Sequence, residues 1–169
     1  MMRVLGIDPG SRITGFGMVL VASDGSLAYV DSGCVRAEAG NQSQRLKIIY
    51  DGVCEAIRFY RPDVIAIEKV FMARNADSAL KLGQARGAAI CAGMNHALEA
   101  REYTALQIKR AVVGTGHARK QQVQHMVKAL LGLSDMPQAD AADALACAIC
   151  HVHYAVGRAA LARGLRIVR

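Results

Sequence analysis

The sequence lacks several features that would place its 169 residues outside the ordinary globular proteins. It has no apolar run close to the ~20 residues that a membrane-spanning helix needs, which argues against a membrane protein. It has no internal repeat and no low-complexity tract, which argues against a repeat array or a long disordered linker. We therefore expect one domain, because this length is sufficient for a hydrophobic core.

The cysteines do not form the even-numbered framework that is typical of small secreted proteins. There are five of them, and all lie in apolar segments. No signal-peptide pattern precedes the first predicted strand, so we expect free thiols in a reducing cytoplasm. The run from Cys147 to His153 superficially resembles a zinc cluster. It has no second ligand pair at finger spacing and lies in an alanine-rich helical pattern, so buried thiols are the favoured interpretation.

Negative charge is in short supply, since the net charge is +7 and the isoelectric point is near 9.4. Such an excess of lysine and arginine favours a polyanionic partner, nucleic acid first. Many small basic proteins bind nothing in particular, so the charge alone leaves both possibilities open. The composition is otherwise ordinary, with 53% hydrophobic and 21% charged residues, as in most globular proteins.

An acidic residue follows the first apolar run of the chain. The run over 4–7 predicts a buried strand that ends at Asp8, Pro9-Gly10 predicts a tight turn, and a second apolar run over 16–22 predicts an adjacent antiparallel strand. Packing explains an acid at the end of a buried strand poorly, because Asp is seldom buried without a partner. We therefore interpret Asp8 as the anchor of a site.

Hydrophobic periodicity and turn residues predict the remaining elements. They are a strand over 26–35, a helix capped by Asn41 or Ser43, a buried strand over 63–67, a helix from Asp77 or Ser78 to about Glu99, a strand over 103–106, a short helix with Lys109, a helix with its apolar face over 123–131, and a last helix from about Gln138. This order predicts an α/β domain with a mixed five-stranded sheet and helices on both faces.

Three further acids could join Asp8. Glu68 ends the second buried strand as Asp8 ends the first. Asp140 and Asp143 are spaced i, i+3 in an alanine-rich run, so they share one face of the last helix. On their own, these two acids are equally consistent with a helix start whose carboxylates face solvent, where the helix dipole tolerates negative charge.

The four acids together suggest a metal site. If the last helix packs beside the two strand ends, four carboxylates converge, and such a cluster repels itself unless cations neutralise it. Oxygen-only ligands suit Mg²⁺ or Mn²⁺. Two such ions ~3.5–4 Å apart are the standard device for in-line phosphodiester hydrolysis. A basic protein with an acidic metal site fits a nuclease, whose basic residues hold the polyanion.

Four segments, three of which carry these acids, resemble the RuvC family of Holliday-junction resolvases. They are Gly6-Ile-Asp-Pro-Gly-Ser, Ala66-Ile-Glu-Lys-Val-Phe, the run over 75–87 and the run over 138–146, and the match extends in order from residue 2 to about 155. The resemblance implies a ribonuclease H-like fold, a homodimer, and Mg²⁺-dependent nicking of two strands of like polarity at a four-way DNA junction. It also implies 5′-phosphate and 3′-hydroxyl ends, a role in recombination and repair, and work beside the RuvA–RuvB branch-migration complex in the bacterial cytoplasm.

The resemblance also implies roles for individual residues. The catalytic, metal-binding acids are Asp8, Glu68, Asp140 and Asp143, with two Mg²⁺ per site and Mn²⁺ as a plausible substitute. The DNA contacts that the resemblance implies are Phe71, which would stack on a base, Lys109 and Lys120. We also expect DNA contacts from Arg74, His117 and Arg119, because they are basic residues in the same predicted loops. A structural role for Phe71 in the fold is the alternative. Position 69 is Lys where Gln is familiar in the family, and this Lys could add a phosphate contact.

The expected domain spans 1–157, and 158–169 form a basic C-terminal tail that we expect to be mobile. Two rival functions remain. Asp8-x-Gly10 with Thr14-x-Phe-Gly17 is similar to the phosphate loop of actin-like ATPases and sugar kinases, although the second such loop that they need is missing here. A non-catalytic DNA-binding module is the other, but acids without metal would repel phosphate. A related nuclease acting on RNA or on transposon ends is a variant of the main hypothesis.

Overall fold

The computed structural model describes residues 1–69 and 75–164, with side chains as far as residue 156. A five-stranded sheet forms its centre. The strands are β1 (Met2–Asp8), β2 (Ile13–Val21), β3 (Leu27–Arg36), β4 (Val64–Lys69) and β5 (Ala100–Thr104), in the order β3-β2-β1-β4-β5. The first three strands are antiparallel neighbours, whereas β4 runs parallel to β1 and β5 parallel to β4. The predicted mixed sheet is confirmed, as is the antiparallel pairing of the first two strands.

Helices cover both faces of the sheet, as predicted. They are α1 (Gln42–Tyr60), α2 (Ala76–Asn95), α3 (Ala105–Val113), α4 (Lys120–Leu131) and α5 (Ala139–Gly164). Helices α1 and α2 pack on the face that presents Ile65 and Ile67. Helices α3, α4 and α5 pack on the opposite face, where Ala66 and Val4 meet Leu145. Among the described residues, no helix is both long and apolar enough to cross a membrane.

Helix α5 lies directly on the two central strands because glycines leave room for its backbone. A Cβ atom at Gly6 of β1 would overlap the carbonyl oxygen of Ala144, and one at Gly15 of β2 would overlap that of Asp140. The alanines of α5 add to this close approach, since Ala142 and Ala144 are fully buried. The first turns of α5 are thus fixed against the ends of β1 and β2.

Local capping decides where several elements begin. Asn41 caps α1, as one of the two predicted alternatives. The predicted caps of α2, Asp77 and Ser78, are wrong, because Asn75 is the N-cap and its side chain accepts hydrogen bonds from the backbone N–H groups of both. The C-terminal end predicted near Glu99 is also wrong, since α2 ends at Asn95.

The fifth strand was predicted over 103–106, and these bounds are wrong. The strand covers Ala100–Thr104, and Thr104 then caps α3. Thr104 Oγ1 accepts from the backbone N–H of Gln107 at 3.2 Å, while the Thr104 N–H donates to Gln107 Oε1 at 2.8 Å. This reciprocal capping box starts a helix at Ala105, so the chain leaves the sheet two residues earlier than its apolar pattern indicates.

The last helix reaches beyond the expected domain boundary. Helix α5 continues to Gly164, so the boundary predicted between residues 157 and 158 lies inside this helix. Residues 165–169 lie outside the described part of the chain. The mobility of the basic tail therefore stays a prediction.

Candidate active site

Asp8 and Glu68 leave the sheet side by side. Strands β1 and β4 are parallel neighbours, and Ile7 lies opposite Ile67. Because side chains alternate along a strand, Asp8 and Glu68 point to the face on which Gly6 and Ala66 meet α5. Two separate apolar strands thus deliver two carboxylates to one place at the carboxyl end of the sheet.

The other two acids come from the start of α5. Asp140 lies in its first turn, above Gly15, and Gly15 is the direct partner of Asp8 in the sheet register. Asp143 lies one turn further along the same face. The four carboxylates are close enough that Glu68, Asp143 and Asp140 each act on the ionisation of Asp8. We call Asp8, Glu68, Asp140 and Asp143 the acid cluster.

Burial and mutual repulsion disfavour negative charge in the acid cluster. Burial, followed by the charges of Glu68, Asp143 and Asp140, raises the pKa of Asp8 from 3.8 to about 8. The pKa of Glu68 is also raised, by burial first and then by Asp143. Without an added cation, Asp8 therefore holds a proton at neutral pH. A bound cation could take the place of that proton.

Two lysines border the acid cluster. Lys120, at the start of α4, places its Nζ 2.7 Å from Asp143 Oδ2, and this contact raises the pKa of Lys120. Lys109 of α3 and Lys120 line a cavity of about 250 Å³ together with Glu68 and Asp143. The two lysines lower the pKa of Glu68, opposing the effect of its burial. The cavity thus combines anionic groups on one side with cationic groups on the other.

The chemistry of the acid cluster fits hard divalent cations. All four donors are carboxylates, and burial together with the charges of the other three raises the pKa of Asp8. Oxygen donors of this kind are the ligands that Mg²⁺ and Mn²⁺ prefer. Across 1–69 and 75–164, no three His, Cys, Asp or Glu side chains already stand as a ready-made metal cage. Asp143, which contacts Lys120 instead, would have to exchange that partner for a metal ion.

The comparisons with known proteins show the family of the chain. Residues 4–151 match the family described as crossover junction endodeoxyribonuclease RuvC. The chain belongs to the RuvC family. A protein of that description from Aeromonas salmonicida is 62% identical over 153 residues, which cover 90% of this chain and 88% of the relative. One from Geobacter metallireducens is 58% identical over 155 residues, covering 91% and 94%.

Solved structures of the same family have a similar fold. The Thermus thermophilus RuvC structure is 34% identical, with a TM-score of 0.84 and coverage of 92% of this chain and 96% of that chain. The same protein in complex with Holliday junction substrate gives a TM-score of 0.84 over 92% and 95%. The yeast mitochondrial Holliday junction resolvase Ydc2, at 11% identity and a TM-score of 0.66, is similar in fold. The fold is therefore the ribonuclease H-like fold of the RuvC family, as expected.

The remaining predicted DNA contacts are His117, Arg119, Phe71 and Arg74. His117 and Arg119 are exposed in the segment that leads into α4. The backbone N–H of Arg119 donates to Gln122 Oε1 at 2.7 Å, which fixes the start of the helix that carries Lys120. Phe71 and Arg74 lie outside the described residues. Their roles stay predictions.

Thr14, which was not predicted to contribute to the site, holds the turn that follows Asp8. Thr14 is fully buried, and its Oγ1 donates to the carbonyl oxygen of Gly10 at 3.0 Å and accepts from the Gly10 N–H at 3.3 Å. The turn that follows Asp8 is thereby closed onto β2. Thr14 was considered only as part of a nucleotide-binding loop, yet its hydroxyl is already engaged by the backbone. The signal available in the sequence was a hydroxyl residue, Thr14, four positions after Gly10 of the turn.

The run from Cys147 to His153, which superficially resembles a zinc cluster, lies in helix α5. Cys147 and Cys150 are fully buried in α5, and both are free thiols. His151 Nδ1 lies 2.8 Å from the Tyr103 hydroxyl, and His153 Nδ1 lies 2.8 Å from the carbonyl oxygen of Ala111. The interpretation as buried thiols is confirmed, because these side chains contribute to the core or bond to protein groups.

Proposed function

We propose that this chain is a metal-dependent endonuclease that cuts four-way DNA junctions, with one nick on each of two strands of like polarity. The observation that carries the proposal is the acid cluster, where burial and three neighbouring carboxylates raise the pKa of Asp8 to about 8. Two further facts support the substrate. Relatives over most of the chain are named crossover junction endodeoxyribonuclease, and the similar Thermus protein has been solved with Holliday junction substrate.

In this proposal, Asp8, Glu68, Asp140 and Asp143 hold two Mg²⁺ ions, for which Mn²⁺ could substitute. When bound, the metal ions activate a water molecule and stabilise the leaving 3′ oxygen. The acids orient these ions through carboxylates on three rigid elements, β1, β4 and α5. Hydrolysis forms a new oxygen–phosphorus bond and breaks the bond from phosphorus to the 3′ oxygen. The products carry 5′-phosphate and 3′-hydroxyl ends and can be religated.

The lysines beside the acid cluster hold the phosphate in this proposal. Lys120 contacts Asp143 at 2.7 Å, and more than half of its side chain is exposed. If Asp143 held a metal ion, Lys120 would lose this partner and could contact the phosphate being cut. Lys109, on the same cavity, supplies a second positive charge. Phe71, Arg74, His117 and Arg119 are proposed to contact other parts of the junction, with Phe71 stacking on a base.

We also propose a two-fold symmetric homodimer that associates through the outer face of α2. Leu80 and Met94 on this helix are 68% and 61% exposed, although both are large and apolar. Between them, an added Cβ at Gly83 or Gly87 would meet nothing within 4 Å, so a second helix could approach closely. A junction presents two equivalent strands, and a symmetric dimer would place one active site on each.

The dimer is tested by sedimentation of Leu80→Asp. We expect this variant to be monomeric at concentrations where the wild type is dimeric, and to nick one strand at a time. Phe59→Asp is the matched control, because Phe59 is an exposed apolar residue on α1. Dissociation by Phe59→Asp, and not by Leu80→Asp, would place the interface elsewhere.

The expected cellular setting completes the proposal. We propose that the enzyme acts in bacterial recombination and repair, in the cytoplasm at the nucleoid, beside the RuvA–RuvB branch-migration complex. We propose residues 1–157 as the nuclease domain, and 158–169 as a basic C-terminal extension whose first part continues helix α5 to Gly164. The net charge of +7 supports a nucleic-acid partner of this kind.

The substrate is tested by incubating the enzyme and Mg²⁺ with a four-way junction that has a short mobile core. Linear duplex, single-stranded DNA and an RNA duplex of the same sequence serve as controls. We expect paired, symmetric nicks on the junction alone. Cutting of duplex or RNA at a similar rate would overturn the proposed substrate, whereas tight junction binding without any cutting would favour the non-catalytic binding module.

A further inference from the structure

Three charged side chains form a cluster on the face of the sheet opposite the acid cluster. Lys69 is the last residue of β4, Arg86 lies on α2, and Glu102 lies on β5. The Arg86 guanidinium donates to Glu102 Oε1, and Lys69 Nζ lies 3.8 Å from Glu102 Oε2. Two cations thus share one carboxylate, which leaves one positive charge in excess.

The two cations differ in how firmly they are held. The Arg86 side chain is 26% exposed and makes a hydrogen bond to Glu102, whose side chain is 29% exposed. The Lys69 side chain is 47% exposed, and its 3.8 Å contact is longer than a hydrogen bond. Arg86 is therefore the main partner of Glu102. The ammonium of Lys69 is held near Glu102 but can still contact another anion. An exposed ion pair of this length is readily exchanged for another anion.

Lys69 occupies a particular position along the chain. It follows Glu68 of the acid cluster directly, and side-chain alternation places the two on opposite faces of β4. A DNA strand whose cut phosphate lies at Glu68 would pass the end of β4, where the Lys69 side chain is 47% exposed. Lys69 is therefore one residue from the proposed cutting site.

We propose that Lys69 contacts a DNA phosphate beside the phosphate that is cut, and that Glu102, held by Arg86, positions Lys69 for this contact. The proposal rests on the proposed function, since it concerns the same DNA strand. The contact adds one cation to those that hold the strand, so the wild type would bind the junction with a steeper salt dependence than Lys69→Gln. Lys69 thus holds the strand, Glu102 is the positioning residue for Lys69, and the acid cluster does the cutting.

The test measures junction affinity against salt concentration in EDTA, so that binding is observed without metal-dependent cutting. We compare wild type, Lys69→Gln, Lys69→Arg and Glu102→Gln. Lys47→Gln is the matched control, because Lys47 also pairs with a carboxylate, Asp51, but lies on α1. Loss of one phosphate contact should reduce the slope of log K against log salt by about 0.9. We expect this reduction in Lys69→Gln, and wild-type slopes in Lys69→Arg and Lys47→Gln. Glu102→Gln keeps Lys69 but removes its positioning partner, so we expect a smaller reduction of the slope there.

A Lys69→Gln slope equal to that of Lys47→Gln would overturn the inference. So would losses of slope in Lys69→Gln and Glu102→Gln that are equal to each other and come with equal drops in melting temperature, because that pattern indicates a purely structural cluster. The wild-type series separates this inference from the proposed function. If the wild type does not prefer the junction to a duplex, the proposed function fails and the inference fails with it. If it does prefer the junction, an unchanged slope in Lys69→Gln rejects the inference alone.

Discussion

Lys120 and Asp143 form an ion pair at the edge of the acid cluster, with 2.7 Å between Nζ and Oδ2. The two residues come from the starts of different helices, α4 and α5. The pair places the protein's own cation against an acid that is proposed to bind metal. In the proposed function, metal binding and phosphate binding would be coupled, because an Asp143 that held a metal ion would free Lys120 for DNA.

The coupling predicts the effect of Lys120→Ala. The variant should bind the junction more weakly, with the salt slope reduced by about 0.9 per lost phosphate contact. Affinity measured across a salt series checks this. Lys128→Ala is the control, because Lys128 lies in the last turn of the same helix. An unchanged slope in Lys120→Ala would show that Lys120 contacts no phosphate.

Asp8→Asn should separate binding from cutting. The substitution removes one metal ligand and one negative charge, so we expect junction binding that is as tight as in wild type or tighter. Cutting should fall by at least about 100-fold, since even the partners of metal ligands cost 10–100-fold when they are lost. Gel-shift and single-turnover cutting assays on the same junction check both expectations. Wild-type cutting by Asp8→Asn would remove Asp8 from the metal site.

The raised pKa of Asp8 predicts how stability depends on pH without metal. The carboxyl has a pKa of about 8 in the folded protein against an ordinary value of 3.8. The folded state therefore binds the proton more tightly, and the stability that this confers is complete below about pH 4 and lost as the pH rises to about 8. Each unit of pKa difference corresponds to about 1.36 kcal/mol.

Denaturant unfolding in EDTA at pH 5.5 and pH 8.5 measures this effect. We expect wild type to lose at least about 1 kcal/mol more than Asp8→Asn between the two conditions, because Asn has no proton to lose. Mg²⁺ should stabilise wild type more at pH 8.5 than at pH 5.5, since it competes with that proton. Equal pH dependence in the two proteins would mean that Asp8 is not the group that repels its neighbours.

Gly6→Ala should disrupt the position of α5. The added Cβ would overlap the carbonyl oxygen of Ala144, and a backbone atom cannot move aside without moving the helix. We expect a loss of about 3 kcal/mol in unfolding free energy, at the upper end of the cost of overpacking. The residual folded protein should cut poorly, because the shift of α5 displaces Asp140 and Asp143. Unchanged stability would show that α5 is held by other contacts.

The sequence was sufficient to predict the sheet and the members of the acid cluster. Asp8 and Glu68 stand out because each ends a continuous apolar run, and that pattern depends only on neighbouring residues. Asp140 and Asp143 are recognisable by their helical spacing. The convergence of these acids is supported by the effect of Glu68, Asp140 and Asp143 on Asp8. Their catalytic role remains a proposal.

Other features depend on contacts that a linear reading does not show. The bounds of β5 were wrong because Thr104 and Gln107 cap a helix inside an apolar run. The cluster of Lys69, Arg86 and Glu102 joins three separate elements, and its members look like ordinary surface charges in the sequence. The close approach of α5 required Gly6 to face Ala144, although Gly6 lies in a run that already predicts a strand.

The central claim is that the acid cluster holds the metal ions that allow junction cutting. Its most direct test is the single-turnover cutting rate of fully bound junction. The rate is measured first in EDTA without Mg²⁺ and then at increasing Mg²⁺ concentrations. We compare wild type with Asp8→Asn, Glu68→Gln, Asp140→Asn and Asp143→Asn. The account predicts cutting by wild type that requires Mg²⁺, and variants that bind the junction but cut at least about 100-fold more slowly at every Mg²⁺ concentration. Cutting in EDTA, or cutting by these variants at the wild-type rate, would contradict it.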